Sequence, residues 1–381
     1  MRILLLNASN TLNYGSMMLA ENFITYFDPE QRHEFFVETD RPDETARRLR
    51  DATSHPKIEA GIGSWSLRGA AGKVKMLLGI LFPKRLKVDA DLIAVLGGDD
   101  FTEDHGWRAL VSQLLRLNLF TPPVCFIGQS MGPFFSFRKP LCKLLLSRAD
   151  RIVLRDTISY DFCKSLGLRN ISKMPDLAFA PLAREAQADT SDRAGSVCFF
   201  PSELIWRFSP SKSRDDCIGF YEKALTLLSE RFKSVLVLPH VLRPDSSDDR
   251  KMVEELSARV VRENITYTTD ILTPAEVRGL ISASDVIVTG RMHPAVSAVS
   301  CGVPVIAFAY SEKYHGVIAR DCGLEPYVLD IRKIPFGELE QVFRKALDLL
   351  EKQPPQLAKT AEEKRQSVYS SMKEIREWYR S

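Results

Sequence analysis

The residues best suited to chemistry stand at Gly290–His293, a Gly-Arg-Met-His segment that directly follows the apolar run Val286–Val288. Arg291 offers a planar, permanently charged fork for a phosphate or a carboxylate. His293 can donate a hydrogen bond or move a proton near neutral pH. If a helix begins here, its backbone N–H groups and dipole add to the attraction for anions. The pattern predicts an anion-binding site that contains an acid–base group.

Two more basic residues follow predicted strands in the same way. Lys313 comes shortly after an apolar run in the second half of the chain, and Arg155 directly follows one in the first half. Each could bind an anion, and Arg155 could reach into a cleft between domains. Alternatively, Lys313 is a solvated loop residue, and Arg155 pairs with Asp156 or Asp176.

The first half offers glycines, amides and carboxylates at its predicted strand ends. Gly98 follows the run Leu92–Leu96 and precedes Asp99, Asp100 and Glu103. Glycines let a ligand approach the backbone, and carboxylates could bind sugar hydroxyls or act as a base. A solvated acidic loop is the alternative. Asn13 and Gln129 occupy similar positions. An anionic donor therefore suits the second half, and a polyhydroxylated acceptor suits the first.

These positions depend on short Val-, Ile- and Leu-rich runs that alternate with helical patterns. Such alternation predicts parallel sheets covered by helices on both faces, with ligands bound beyond the carboxyl ends of the strands. The predicted strands are Arg2–Leu6, Leu92–Leu96, Val124–Ile127 and Arg151–Leu154, then Val197–Phe200, Val235–Leu238, Val286–Val288 and Val305–Phe308.

The stretch Arg184–Ser196 contains no large apolar residue and is the predicted linker. The sequence thus predicts an α/β protein with two Rossmann-like domains. Their expected bounds are residues 1–183 on the acceptor side and 197–350 on the donor side, followed by a charged packing helix over 356–380.

Composition excludes several classes of protein. The 381 residues are 45% apolar and 27% charged, as in ordinary globular proteins. The formal net charge is only +3, which disfavours nucleic acid as the main partner. The seven cysteines are scattered without a CxxC pair, so we expect reduced thiols, no disulfide framework and no metal site.

No secretory signal or membrane-spanning run is found in the sequence, so we expect a cytoplasmic protein. One segment, residues 68–87, carries six basic and no acidic residues around the apolar run Met76–Phe82. Such a segment could lie on the inner face of a membrane as a peripheral contact. The alternatives are a core-facing helix with extended lysines or a loop.

The order of these motifs resembles the polysaccharide pyruvyl transferase family over about residues 1 to 325. The motifs that carry the resemblance are Asn13-Tyr14-Gly15, Leu96-Gly97-Gly98, Gly128–Pro133, Arg155–Ser159, Pro175–Phe179, Gly290–His293, Gly302–Pro304 and Tyr310–Lys313. The resemblance implies a glycosyltransferase-B-like fold, in which two Rossmann-like domains face each other across a cleft.

The resemblance also implies a transferase. Its reaction would move a pyruvyl group from phosphoenolpyruvate, a co-substrate, to sugar hydroxyls of a polysaccharide or its precursor, forming a ketal and releasing phosphate. It implies that Arg155, Arg291 and His293 bind or activate phosphoenolpyruvate, and Lys313 is added here from its position. No further cofactor is expected.

On this interpretation His293 supplies or relays the proton, and Asp99, Asp100 or Glu103 is the base on the acceptor side. The residues predicted to bind the acceptor, a sugar or a lipid-linked oligosaccharide, are Asn13, Gly98, Glu103 and Gln129. The resemblance also implies a role in polysaccharide biosynthesis, with an exopolysaccharide as the expected product.

Two other functions stay open from the sequence. A nucleotide-sugar glycosyltransferase could use the same fold and hold a diphosphate with the same basic residues. A non-catalytic protein of envelope assembly would carry a degenerate site. Neither a GxGxxG nor a GxxxxGK[ST] motif occurs, so no dinucleotide or P-loop site is predicted.

Overall fold

Two compact units make up the chain. The computed structural model describes residues 1–63, 83–84, 86–103, 106–184, 195–243, 247–350, 353 and 357–380. The first unit comprises Met1–Thr11, Leu19–Leu177 and Val368–Ser381, and the second comprises Leu12–Met18 and Ala178–Ser367.

A parallel sheet forms the centre of the first unit. Its strands in chain order are β1 (Arg2–Leu6), β2 (Glu34–Glu38), β3 (Ile58–Gly61), β4 (Leu92–Leu96), β5 (Val124–Gln129), β6 (Arg151–Leu154) and β7 (Ile171–Lys173). They are arranged in the order β3-β2-β1-β4-β5-β6-β7. Every residue of β4 is buried, as expected for a central parallel strand covered on both faces.

Helices follow most of these strands. They are α1 (Tyr14–Phe27), α2 (Pro42–Thr53), α3 (Trp107–Leu119), α4 (Arg138–Leu146) and α5 (Thr157–Ser165). Asp156 caps α5 by accepting a hydrogen bond from the Ser159 backbone N–H at 2.8 Å, so the helix begins directly after β6 and Arg155. Apolar side chains of α3 and α4 pack in the same core as those of β4 and β5.

The second unit repeats this architecture. Its strands are β8 (Ser196–Phe200), β9 (Ser234–Val237), β10 (Ile265–Tyr267), β11 (Val286–Thr289), β12 (Val305–Ala309) and β13 (Val328–Asp330). They form a parallel sheet in the order β10-β9-β8-β11-β12-β13. Its helices are α6 (Arg214–Arg231), α7 (Asp249–Arg259), α8 (Pro274–Ser282), α9 (Met292–Ser300), α10 (Glu312–Tyr314), α11 (Phe336–Asp348) and α12 (Leu357–Arg380).

In each sheet the strand order reverses beside the strand that comes first in the chain. In the first unit the reversal lies between β1 and β4, and in the second it lies between β8 and β11. Ligands of doubly wound folds bind beyond the carboxyl ends of the strands at such a reversal. The topology therefore selects two places to examine, one in each unit.

Two segments depart from the continuous domains expected from the sequence. Leu12–Met18 belongs to the second unit, because Asn13 forms an antiparallel bridge with Val241 and Tyr14 N–H donates to the His240 carbonyl at 3.3 Å. Residues 368–380, the end of α12, belong to the first unit. Most of the predicted linker and of the basic segment 68–87 lies outside the described residues.

The seven cysteines are free thiols, and most are buried. Burial raises the pKa of Cys198 to about 11 and the pKa values of Cys125, Cys142, Cys163 and Cys322 to about 12. It raises the pKa of Cys217 further.

In the described part of the chain, none of the helices has both the length and the apolar character that crossing a membrane requires.

Candidate active site

The carboxyl edge of the second sheet gathers the candidate residues of that half. Gly290 follows β11 and packs so tightly that a Cβ there would overlap Ser202, which follows β8, and the Tyr221 hydroxyl. The backbone at Gly290 is fixed from both sides, since its N–H donates to the Phe200 carbonyl at 2.9 Å and its carbonyl accepts from Tyr314 Oη at 3.0 Å. The motif glycine is therefore required by close packing at the reversal point.

Arg291 is the N-cap residue of α9 and is held by a buried carboxylate. Its Nε and Nη2 atoms donate to the two oxygens of Asp249 at 3.0 and 2.6 Å, and Nη2 also donates to the Ser247 carbonyl. Burial alone would lower the pKa of Arg291, but Asp249 together with Tyr310 and Tyr314 outweighs it, so the pKa lies above its ordinary value. The guanidinium is therefore charged and fixed in direction.

One nitrogen of this guanidinium has no hydrogen-bond partner in the described part of the chain. Among the residues that the structure describes, Nη1 of Arg291 makes no hydrogen bond, whereas Nε and Nη2 are occupied. Asp249 is itself held in place, because its two oxygens also accept the backbone N–H groups of Glu203 and Val241, each at 3.0 Å. The arrangement leaves the two N–H donors of Nη1, fixed in direction, for an anion.

His293 stands two residues further on, in the first turn of α9, and is half-buried. Its ring lies against Gly15, where a Cβ would overlap the imidazole. Gly15 is positioned by Asn13, whose Oδ1 accepts from the backbone N–H groups of Gly15 and Ser16 at 3.1 and 3.4 Å and so caps α1. The Asn-x-Gly motif therefore builds one wall of the His293 site.

We expect Gly15→Ala to lower turnover by up to about 10²-fold, because the new methyl group would displace the His293 ring. The substitution should not lower the stability of the protein through helix propensity, since alanine favours a helix more than glycine does. The measurement is kcat together with the melting temperature, with Ser16→Ala as the neighbouring control. Unchanged kcat in Gly15→Ala would show that catalysis does not depend on the position of this ring.

His240, after β9, supplies a second imidazole. Its ring lies parallel to that of His293 with centroids 6.5 Å apart, and Tyr14 packs edge-on against it at 5.5 Å. The side chain is 1% exposed, and its Nε2 atom has no hydrogen-bond partner among the described residues. Burial, and then the nearby His293 and Arg291, hold the pKa of His240 well below its ordinary value. His240 is therefore a neutral imidazole.

Lys313 lies at the same edge, on α10. Its ammonium group donates to Tyr310 Oη at 3.1 Å and lies 4.9 Å from the centroid of the Tyr310 ring and 5.8 Å from that of Tyr314. The two tyrosines also act electrostatically on Arg291. The edge thus combines two cations, two imidazoles and a helix N-terminus, a set suited to binding an anion and moving a proton.

In the first unit, polar residues meet at the corresponding reversal point. Asn7, after β1, donates from Nδ2 to Asp100 Oδ2 at 3.3 Å, and the Asp100 carboxylate lies close over Gly98. Asp100 is exposed, and Asp99 is half-buried with its carbonyl accepting from Thr102. This edge exposes a carboxylate beside an amide, which can bind sugar hydroxyls.

Arg155 occupies a buried position behind this edge. It is 1% exposed, and its Nη1, Nε and Nη2 atoms donate to Asp176 at 2.8 Å, to Ser130 Oγ at 2.8 Å and to the Gly98 carbonyl at 3.1 Å. The Arg155 charge is thus balanced by Asp176 within the first unit. Pairing with an aspartate was the alternative to donor binding in the sequence analysis. Direct donor binding by Arg155 stays a prediction and would require these bonds to break.

Gln129 and Glu103, two of the predicted acceptor ligands, also serve the structure. The Gln129 amide is buried and donates to the Val95 and Leu96 carbonyls at 3.0 and 2.6 Å. Glu103 accepts from Arg138 Nε at 3.0 Å and from the Phe135 backbone N–H at 2.7 Å. Asn13, expected with them, lies in the second unit. Their role in acceptor binding stays a prediction.

The sequence interpretation did not single out Asp249, and it mentioned His240 only by position. Asp249 belongs to the first turn of α7, where an acidic residue is common and gives no sign of an arginine partner. Among the described residues, no cluster of three or more histidine, cysteine or acidic side chains is arranged to hold a metal ion.

Comparison with known proteins adds a family to this geometry. A family model described as polysaccharide pyruvyl transferase matches residues 13–312. The amylovoran biosynthesis protein AmsJ of Erwinia amylovora is 23% identical over 302 residues, which cover 74% of this chain and 72% of that protein. The matched range contains both Asn13 and the Gly290–His293 motif.

Solved structures are similar in fold. A putative UDP-N-acetylglucosamine 2-epimerase from Listeria monocytogenes superposes with a TM-score of 0.61 at 11% identity, covering 95% of this chain and 90% of that chain. Alr3699/HepE of Anabaena, solved with UDP and glucose, gives 0.55 at 16% identity over 100% of both chains. At such identities the likeness concerns the fold alone, and it confirms the predicted glycosyltransferase-B-like α/β class.

Proposed function

The chain belongs to the polysaccharide pyruvyl transferase family, and from this premise we propose that it transfers a pyruvyl group from phosphoenolpyruvate to two hydroxyls of one sugar. The product is a ketal, and phosphate is released. The relative AmsJ is named for the biosynthesis of amylovoran, which supports a polysaccharide or its precursor as the acceptor.

The observation that carries this proposal is the pairing of Arg291 and His293 at the N-terminus of α9. Asp249 fixes Arg291 so that its Nη1 donors are left for an anion, and Gly15 fixes the His293 ring two residues further on. Phosphoenolpyruvate carries a phosphate and a carboxylate close to its reacting carbons. A fixed guanidinium, the Lys313 ammonium and a helix N-terminus match those two groups.

The proposed chemistry balances without a cofactor. A proton from His293 adds to C3 of phosphoenolpyruvate, which becomes a methyl group while C2 takes oxocarbenium character. The first sugar hydroxyl bonds to C2 and loses its proton. The bond between C2 and the phosphate oxygen then breaks, and the second hydroxyl bonds to C2 and loses its proton. One hydroxyl proton restores His293, and the other leaves with phosphate.

On the acceptor side we assign the base to Asp99 or Asp100. Asp100 is the exposed carboxylate beside Asn7, and Glu103 is engaged with Arg138. A carboxylate can accept the hydroxyl proton directly or through one water. Because Gly98 has no side chain, the Asp100 carboxylate can lie close over its backbone.

We expect phosphoenolpyruvate to raise the melting temperature of the free protein, because a ligand that binds only the folded state stabilises it by about 2.7 kcal/mol at 100-fold its Kd. UDP-sugars should give no such shift. Turnover is measured as phosphate release and as an acceptor mass raised by one pyruvate less one water, over a panel of free and lipid-linked sugars.

The two alternative functions predict different results in these experiments. A nucleotide-sugar glycosyltransferase would be stabilised by a UDP-sugar and would release UDP. A non-catalytic protein of envelope assembly would release no phosphate with any acceptor. Stabilisation by a UDP-sugar, with none from phosphoenolpyruvate, would replace the proposal by the first of these.

A further inference from the structure

We propose that the outer face of α3 and α4 in the first unit docks on an anionic lipid bilayer surface. The face, named here the aromatic–basic face, consists of Trp107, Arg108, Phe135, Phe137, Lys139 and Lys143. It takes no part in the proposed reaction, and the inference holds whatever the donor is.

The first observation is a concentration of exposed aromatic side chains. Trp107 is 38% exposed, Phe135 54% and Phe137 63%, and Leu144 on the same helix is 41% exposed. Trp107 and Phe137 contact each other edge-on with ring centroids 6.0 Å apart, so they form one patch. In the described residues, all the exposed large aromatics belong to this patch. Clustered exposed apolar side chains mark an interaction surface.

The second observation is uncompensated positive charge. Between Asp104 and Asp150 the sequence has six basic residues and no acidic one. Those that form no ion pair among the described residues are Arg108, Lys139 and Lys143. Arg138 pairs with Glu103 and Arg116 with Glu38, so nearby carboxylates are already engaged. The Arg108 guanidinium lies 5.5 Å from the centroid of the Trp107 ring, and Lys139 and Lys143 are exposed on α4. The same two helices therefore carry both the exposed rings and the unpaired positive charge.

The geometry makes these residues one face. Trp107 and Phe137 meet at the N-terminal ends of α3 and α4, and the Asn118 amide near the end of α3 donates to the Leu145 carbonyl at 3.1 Å near the end of α4. The two helices therefore run side by side in the same direction. Their inner faces fill the core of the first unit, which leaves the outer faces for a partner.

The chemistry selects a bilayer among possible partners. Aromatic rings favour the boundary between lipid and water, and lysine and arginine side chains extend to phosphate headgroups while their methylenes lie on apolar surface. A neutral glycan would provide no counter-charge for the basic residues. A second copy of this chain would bring like charges together. Lys84, within the basic segment 68–87, is held near the C-terminal end of α3, since its backbone N–H donates to the Asn118 carbonyl at 2.9 Å.

The test is sedimentation of the full chain with vesicles, without phosphoenolpyruvate. We expect binding to vesicles of equal parts phosphatidylglycerol and phosphatidylcholine, and little binding to phosphatidylcholine alone. Each basic residue near such a surface contributes roughly fivefold, so Lys139→Gln with Lys143→Gln should weaken binding about 25-fold. Added salt should weaken it further.

Matched variants separate this face from general surface effects. Phe135→Ser with Phe137→Ser should also abolish most of the binding. Lys359→Gln with Lys373→Gln removes the same charge from exposed positions of α12, and Val261→Ser removes an exposed apolar residue of the second unit. Both controls should bind as the unchanged chain does.

Three outcomes would overturn the inference. They are no binding to anionic vesicles, equal loss of binding in the control variants, and self-association in sedimentation velocity that the Phe135→Ser, Phe137→Ser variant removes. The last outcome would identify a second copy as the partner. Because the assay contains no donor, it can fail while pyruvyl transfer to a free sugar succeeds, and the reverse also holds.

Discussion

Replacing His293 by alanine is expected to lower pyruvyl transfer by about 10²–10⁴-fold, the range for loss of a positioned proton donor. The ring is half-buried at the start of α9, so the change removes the proposed proton donor more than it removes core packing. The measurement is kcat and KM for phosphoenolpyruvate with one acceptor, since a lost proton donor lowers kcat while KM changes less.

Two further variants make this result specific. His293→Gln keeps a hydrogen-bonding side chain without proton transfer, so it should retain donor affinity and still fail in turnover. His33→Ala makes the same chemical change in the first unit and should leave kcat unchanged. If His293→Ala turned over at the rate of the unchanged chain, His293 would have no part in the chemistry.

Removing the Asp249 carboxylate is expected to have the largest effect on stability. In Asp249→Ala the Arg291 guanidinium stays buried without its counter-charge, which costs about 3–5 kcal/mol for a broken buried pair. The Glu203 and Val241 backbone N–H groups also lose their acceptor. Urea unfolding of the free protein measures the change, and KM for phosphoenolpyruvate should rise because Arg291 loses its fixed direction.

The double variant Asp249→Leu with Arg291→Met distinguishes the stability effect from the binding effect. Without a buried charge, it should recover much of the stability and still fail to bind the donor. Glu222→Ala breaks an exposed pair with Arg259 and should cost at most about 1 kcal/mol. A similar small loss in Asp249→Ala would mean that the pair is not needed for the fold.

Much of the fold was predictable because parallel strands carry a strong local signal. The predicted bounds of β1, β4 and β6 are those of the structure, since each is a continuous apolar run between polar residues. The capping box that begins α8, formed by Thr273 and Glu276, is a local signal of the same kind. The helices α4 and α7 were not predicted, because the first contains Pro140 and the second is mostly polar.

The site was predictable only as far as strand ends determine it. Arg291, His293 and Lys313 each follow a strand of one sheet, and the sheet alone brings them to one edge. The Asp249 partner of Arg291 and the wall that Gly15 forms beside His293 depend on tertiary contacts between distant segments. Local sequence patterns do not indicate such contacts. The sequence therefore could not predict that Leu12–Met18 belongs to the second unit.

The depth of the thiols makes this chain convenient for site-specific labelling. The thiolate is the reactive form of cysteine, and a thiol with a pKa near 12 is almost wholly protonated at neutral pH. A maleimide dye should therefore react slowly with the deep thiols. With Cys301 changed to serine, a new cysteine at the exposed Ser136 would carry a fluorophore that reports polarity when vesicles are added.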